Sequence, residues 1–179
     1  VMNESMGRES KRQQSLLRGD KGIIVWDLRP GNTCNLKCAM CNPGNSSKWY
    51  EDLDVYSKYR TGNIDQFRQV RESLDWDWVY ERCKDKAVKI YIAGGEPFYM
   101  KGVQRFCKLL SEHEWNRKHT EIQIQTNGVS NTDSFLKTLE KFERLTFSVS
   151  IDGWGSVNEL IRFPTHHDTF CRDTQQLVD

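Results

Sequence analysis

The fold is indicated most clearly by a stretch that reads Leu145-Thr146-Phe147-Ser148-Val149-Ser150-Ile151. Its apolar and hydroxyl side chains alternate with a period of two, which is typical of a β-strand with two unlike faces. Three further strands are predicted before it, at Ile23–Leu28, Val88–Ala93 and Glu121–Thr126. Gly, Pro or Asn follows each of these three strands and predicts a turn there.

Helical periodicity lies between the predicted strands. Val103, Phe106, Cys107 and Leu110 recur at the spacing of one helix face. Other helices are predicted at Ser47–Tyr59, at Asp65–Cys83, around Phe135, Leu139 and Phe142, and near Asp168–Val178. Strand and helix therefore alternate about four times, which predicts an α/β protein with a parallel sheet.

The last strand departs from the usual pattern of such a sheet. A parallel strand that is covered on both faces normally reads as a continuous apolar run. Here Thr146, Ser148 and Ser150 lie in one row, and Asp152 continues it. The row indicates a wet, ligand-lined interior, so we predict a partial (β/α) barrel of about four βα units.

Length and charge exclude several classes of protein. The 179 residues suit one domain and are short for a complete (β/α)8 barrel of roughly 250 residues. The 26 basic and 25 acidic residues nearly balance, which disfavours a general nucleic-acid binder. No apolar run approaches the ~18 residues of a membrane span, and the polar N-terminus does not resemble a secretory signal. We expect a cytoplasmic protein with a polar tail over residues 1–20 and a core domain over 21–179 that is incomplete at its C-terminus.

The strongest chemical signal is a cysteine array directly after the first strand, which reads Cys34-Asn35-Leu36-Lys37-Cys38-Ala39-Met40-Cys41. A structural zinc ion would need a fourth ligand at finger-like spacing, and the sequence offers none nearby. Three thiolates without a fourth suit a [4Fe–4S] cluster with one open iron. A zinc-stabilised binding module with a distant fourth ligand is the alternative. Cys83, Cys107 and Cys171 are expected to pack as small hydrophobic side chains.

The C-x3-C-x2-C spacing resembles the signature of the radical S-adenosylmethionine (SAM) superfamily, in which three cysteines hold three irons and SAM chelates the fourth. By that resemblance Cys34, Cys38 and Cys41 are the cluster ligands. The residue before the last cysteine is usually aromatic in the family and touches the adenine of SAM. Here it is Met40, which implies an apolar contact of another kind.

Two turns strengthen the resemblance. Gly94-Gly95-Glu96-Pro97 looks like the family's GGEP turn, which receives the methionyl amino group of SAM. The glycines would allow close backbone approach, and Glu96 would accept hydrogen bonds from the ammonium. Thr126-Asn127-Gly128 resembles the family's TNG turn and implies that Thr126 or Asn127 lies near SAM.

The segment Ser148–Gly153 resembles the SxDG segment of radical SAM proteins that carry a SPASM or twitch extension. The resemblance implies that Ser148 and Ser150 meet the ribose or carboxylate of SAM, and that Asp152 lies toward the substrate. Arg162 is implied, more weakly, as a partner of the SAM carboxylate. The motifs fall in or at the ends of successive strands, and the carboxyl ends form the catalytic face of an α/β barrel.

The resemblance implies an enzyme that reductively cleaves SAM to a 5′-deoxyadenosyl radical, which abstracts hydrogen from a substrate. The substrate is not identified by the sequence, although SPASM and twitch relatives often modify peptides or proteins. The implied cofactors are a [4Fe–4S] cluster and SAM, and the implied partner is a flavodoxin- or ferredoxin-like electron donor. No further catalytic residue is predicted. A catalytically incomplete iron–sulfur scaffold is the second alternative.

Overall fold

A four-stranded parallel sheet organises the protein. The computed structural model describes residues 25–59, 74–86, 88–129 and 133–178. Its strands are β1 (Val25–Leu28), β2 (Lys89–Ile92), β3 (Glu121–Thr126) and β4 (Arg144–Val149). They pair in the order β1-β2-β3-β4, and every pair is parallel. The predicted α/β class and its four strands are confirmed.

Seven α-helices occupy the described ranges: α1 (Leu53–Tyr59), α2 (Trp76–Cys83), α3 (Lys101–Ser111), α4 (Glu114–His119), α5 (Asp133–Leu139), α6 (Ser156–Ile161) and α7 (His167–Gln175). Two 3-10 helices, Ser47–Asp52 and Pro97–Tyr99, directly precede α1 and α3. The predicted helix Ser47–Tyr59 is therefore 3-10 in its first part. The sequence pattern does not predict α4 and α6, because six residues cover less than two turns.

Some predictions fall outside the described residues. They are the tail over residues 1–20, the first two residues of the first strand, and residues 65–73 of the predicted helix that ends at Cys83. Among the helices of the described ranges, none has both the length and the apolarity needed to cross a bilayer.

The core lies on one face of the sheet. Ile90, Ile92, Ile122 and Ile124 are completely buried there. They belong to one apolar cluster with Val103, Phe106, Cys107 and Leu110, the predicted face of α3. Full burial of each such side chain stabilises the fold by about 1.5–3 kcal/mol. Truncation of Ile124 to alanine would cost about 2–5 kcal/mol, because it leaves a cavity at the centre of this face.

The opposite face of the sheet is polar, as the alternation in β4 predicts. Gln123 Nε2 donates to Ser148 Oγ (3.1 Å), and Gln125 Nε2 donates to Ser150 Oγ (2.6 Å). All four of these residues are half-buried. β4 ends at Val149, two residues before the predicted end, although Ser150 N still donates to Thr126 O (2.9 Å). The face therefore offers hydrogen-bonding groups instead of a second apolar core.

Candidate active site

The three cysteines of the array line one cavity of about 940 Å³. Their loop follows β1 and is tightened by a hydrogen bond from Cys41 N to Cys38 O (2.9 Å). The loop also pairs with a distant segment, because Lys37 N donates to Phe163 O (2.6 Å) and Ala39 N donates to Ile161 O (2.7 Å). Residues 161–163 are thereby held beside the cysteines.

A second segment supports the cysteine loop from residues 43–52. Asn32 Nδ2 donates to Pro43 O (3.0 Å) and to the hydroxyl oxygen of Tyr50 (2.7 Å). Cys34 N donates to Ser47 Oγ (3.1 Å). These contacts satisfy buried polar groups of a loop that has no regular structure, and so they fix its path.

Lys37 belongs to the cysteine array, but its ammonium group is engaged in ion pairs with acidic side chains. Its Nζ forms an ion pair with Asp52, and it lies 3.9 Å from Glu51 Oε2. Only 15 % of its side chain is exposed. Lys37 therefore fastens the cysteine loop to the 3-10 helix Ser47–Asp52.

The turn after β2 packs directly on the backbone that leads into the cysteine loop. Gly94 and Gly95 have φ values of +92° and +52° and line the cavity. A Cβ atom on Gly95 would lie 2.4 Å from Thr33 O. Glu96 N donates to the same oxygen at 2.7 Å. Gly95 is thus required by a close approach of two backbones as well as by its φ value, whereas Gly94 is favoured by its φ value.

Glu96 is completely buried and does not line the cavity. Its Oε1 accepts from Phe98 N (3.2 Å) and from Thr126 Oγ1 (3.0 Å), and its Oε2 accepts from Asn127 N (2.7 Å). The carboxylate therefore caps the 3-10 helix Pro97–Tyr99 and joins the turn after β2 to the turn after β3. Its contact with SAM stays a prediction from the resemblance.

The turn after β3 reaches the first cysteine through two amides. Asn127 Nδ2 donates to Asn35 Oδ1 (2.7 Å) and lies 3.9 Å from Cys34 Sγ. Asn35 Nδ2 in turn donates to Val129 O (2.8 Å). Thr126 and Asn127 both line the cavity, as the TNG turn predicts. Asn35 is a supporting residue that the sequence motifs did not predict, and its one signal is a polar side chain directly after Cys34.

The end of β4 and the segment that follows it contribute only some of their predicted residues to the cavity. Ser150 and Arg162 line the cavity, whereas Ser148 and Asp152 do not. Arg162 Nε lies 2.6 Å from Asp152 Oδ2 in an ion pair. Arg162 Nη1 lies 3.9 Å from Cys38 Sγ. Arg162 therefore joins the end of α6 to the cysteine loop.

Met40 also lines the cavity, and 56 % of it is exposed. It stands at the mouth, where an apolar side chain can cover a flat ligand. Eight further lining residues were not predicted: Arg29, Gly31, Asn32, Leu36, Gly44, Asn45, Ser46 and Gln125. Two of them could have been predicted from their place in the sequence, because Gln125 lies near the carboxyl end of β3 and Arg29 follows the carboxyl end of β1.

The thiols differ in acidity. A hydrogen bond from Cys38 lowers the pKa of Cys41 to about 7, with help from the charge of Arg162 and against burial. The same bond raises the pKa of Cys38, and burial raises the pKa of Cys34. The bond between them therefore favours the thiolate form of Cys41 over that of Cys38. Burial alone raises the pKa of Cys107 to about 12, as expected of an inert core thiol.

The donor set fits an iron–sulfur cluster. Three thiols face one large cavity, and thiolates are the ligands that such clusters use. Within the described ranges, no three His, Cys, Asp or Glu side chains converge around the position of a single metal ion. Thiols that surround a cavity in this way suit a group with several irons, each bound by one cysteine.

Cys83 and Cys107 are completely buried in the core, as predicted. Cys171 differs, since it is half-buried and its Sγ lies 3.6 Å from His167 Nε2. It lies on α7 and does not line the cavity. The six cysteines therefore separate into three at the cavity, two in the core and one on a helix surface.

The fold is similar to solved structures of a larger protein. Two of them are crystal structures of Streptococcus suis SuiB, one bound to the precursor peptide SuiA and one bound to S-adenosylmethionine. Both align with a TM-score of 0.57 and 18 % sequence identity over 96 % of this chain. They are covered to 34 % and 35 % of their own length, so this chain spans about a third of each.

Sequence comparison identifies the family. No curated protein matches the chain. The sequence model of the Radical SAM superfamily matches residues 28–170, which include the cysteine loop, all three downstream motifs and Arg162. The chain belongs to the radical SAM superfamily, whose cofactors are a [4Fe–4S] cluster and S-adenosylmethionine.

Proposed function

We propose that this chain is the cofactor-binding core of a radical SAM enzyme that reductively cleaves SAM. Cys34, Cys38 and Cys41 hold the cluster in this proposal. The observation that carries it is the cavity itself, because the three thiols, Gly94, Gly95 and the TNG turn meet there at the carboxyl ends of parallel strands. When bound, the reduced cluster and SAM supply a 5′-deoxyadenosyl radical that abstracts a hydrogen atom from the substrate.

The residues around the cysteines orient and enclose the cofactors. Thr126, Asn127 and Ser150 present polar groups to SAM from β3 and from the end of β4. Met40 covers the adenine at the mouth and excludes water there. Ser148 and Asp152 do not line the cavity, but they stay part of the proposal as contacts of SAM and of the substrate side, respectively.

Glu96 receives the amino group of SAM in this proposal, in addition to its internal bonds. A carboxylate oxygen can accept more than one hydrogen bond, so Glu96 has acceptor capacity for a ligand ammonium besides Thr126 and Asn127. Because Glu96 is completely buried, this contact requires one of its oxygens to become accessible from the cavity when SAM binds. A carboxylate that binds both the amino group of SAM and the TNG turn would link the position of that amino group to the position of the turn.

A peptide or protein is the substrate that we propose. Two observations support this class. One of the similar structures is SuiB bound to a precursor peptide, and Ser148–Gly153 resembles the SxDG segment of SPASM and twitch proteins. A flavodoxin- or ferredoxin-like protein in the cytoplasm would supply the electron.

Anaerobic reconstitution tests the proposed function. The chain should bind roughly four irons and four sulfides. Its reduced cluster should give an electron paramagnetic resonance (EPR) signal that SAM perturbs, and dithionite with SAM should yield 5′-deoxyadenosine. One colourless zinc ion without sulfide would instead identify a zinc-stabilised binding module. A cluster that cleaves no SAM here or in a longer chain carrying the following residues would identify an incomplete scaffold.

A further inference from the structure

The side chain of Arg162 contacts both the cysteine loop and an acidic side chain. Its Nη1 lies 3.9 Å from Cys38 Sγ, within the range of a hydrogen bond to sulfur. Its Nε lies 2.6 Å from Asp152 Oδ2, and only 14 % of its side chain is exposed. Ala39 N donates to Ile161 O (2.7 Å), so the backbone before Arg162 is fixed to the cysteine loop as well.

Two other cations near the cysteines are engaged differently. Lys37 pairs with Asp52 and Glu51 and does not line the cavity. Arg29 lines the same cavity and, like Arg162, pairs with a carboxylate, Asp27 at 2.7 Å, but its side chain is 59 % exposed and it makes no hydrogen bond to a cysteine sulfur of the described ranges. Arg162 therefore combines a half-buried charge with a donor that is aimed at a cysteine sulfur.

We propose that Arg162 raises the reduction potential of the cluster by donating from Nη1 to the Cys38 thiolate. The inference rests on the proposed function, since it requires the cysteines to hold the cluster. It gives Arg162 a role toward the cluster itself, separate from the contact with the SAM carboxylate that the family resemblance implies.

The sign follows from electrostatics. Reduction adds one negative charge to the cluster, and a nearby cation stabilises the reduced form more than the oxidised form. Hydrogen bonds to the ligand sulfurs act in the same direction. A guanidinium keeps its charge at all relevant pH values, and solvent screens a half-buried group less than an exposed one.

The test is a potentiometric titration of the anaerobically reconstituted full chain without SAM, followed by the EPR signal of the reduced cluster. Without SAM, a contact between Arg162 and the SAM carboxylate makes no contribution. Arg162→Gln should lower the midpoint potential. At a fixed solution potential, the ratio of reduced to oxidised cluster should fall about tenfold, which corresponds to 59 mV for one electron.

Arg29→Gln is the matched control, because it removes the same charge from the same cavity without a contact to sulfur. Its shift should be clearly smaller than that of Arg162→Gln. If Arg162→Gln does not retain a cluster, Arg162→Met is titrated instead. Its potential should also lie below that of the wild type, because methionine is a flexible, unbranched side chain with neither the charge nor an N–H donor.

Equal shifts in Arg162→Gln and Arg29→Gln would overturn the inference, and so would a wild-type potential in the Arg162 variant that is titrated. A wild-type chain that assembles no iron–sulfur cluster would instead refute the proposed function. The two failures are therefore distinguishable in the same set of preparations.

Discussion

The buried carboxylate of Glu96 accepts a hydrogen bond of 2.7 Å from the backbone N–H of Asn127. Asn127 continues the connection, since its side chain reaches Asn35 at 2.7 Å inside the cysteine array. Three motifs that lie far apart in the sequence are thus joined by one chain of hydrogen bonds. The GGEP turn therefore stabilises the site through hydrogen bonds within the protein, independently of ligand binding.

Glu96→Gln should therefore destabilise the protein even without cofactors. Glutamine replaces one acceptor oxygen with an NH₂ group that would face donors from Phe98, Thr126 or Asn127. We expect the free energy of unfolding to fall by about 1–3 kcal/mol. Urea denaturation of the cluster-free chain measures it, with the exposed Glu140→Gln as a control. A loss below about 0.5 kcal/mol, as for an ordinary surface change, would contradict the role.

Gly95→Ala should disrupt the cysteine loop. The new Cβ would lie 2.4 Å from Thr33 O, so the turn after β2 could no longer pack against residues 32–33. Gly155→Ala is a matched control, because Gly155 also has a positive φ of +58° but has no atom within 4 Å of an added Cβ. We expect iron binding after reconstitution to be lost in Gly95→Ala and retained in Gly155→Ala. Equal iron contents would show that the close approach is unimportant.

Ser150→Ala should weaken SAM binding more than Ser148→Ala. Ser150 lines the cavity, whereas Ser148, two residues earlier in the sequence, does not line it. Each hydroxyl accepts one hydrogen bond from a glutamine of β3, so each of the two substitutions removes one equivalent hydrogen bond within the protein. Loss of one ligand hydrogen bond predicts an increase in the Kd for SAM of about fivefold to tenfold. Equilibrium binding to the oxidised holoprotein measures it, and equal effects of the two variants would contradict the assignment.

The strands and the polar face could be predicted because they depend on local periodicity. Alternation in Leu145–Ile151 predicted both β4 and the polar face on which Ser148 and Ser150 meet the glutamines of β3. The apolar repeat of Val103–Leu110 predicted the buried face of α3. The three cysteines could be assigned to one site because they lie within eight residues of one another in the sequence. Local patterns carry this information because one element fixes all of the residues involved.

The contacts between motifs could not be predicted in the same way. Asn35 and Asn127 are 92 positions apart, and they meet only because parallel strands bring their carboxyl ends to one edge of the sheet. The hydrogen bonds from Phe98, Thr126 and Asn127 to Glu96 could not be predicted either. A match to the GGEP motif indicates which ligand the residue contacts in relatives, but not which residues of the protein position it. Lys37 shows the same limit, because Asp52 lies in a 3-10 helix that the periodicity did not separate from α1.

The central claim is that Cys34, Cys38 and Cys41 together hold one cluster, and iron content tests it most directly. Each is replaced by alanine in turn, with Cys171→Ala as the control, since Cys171 is a half-buried thiol outside the cavity. After anaerobic reconstitution, Cys171→Ala and the wild type should each hold roughly four irons. The three cavity variants should lose most of that iron and the absorbance of the cluster. Wild-type iron in any one of them would contradict the account.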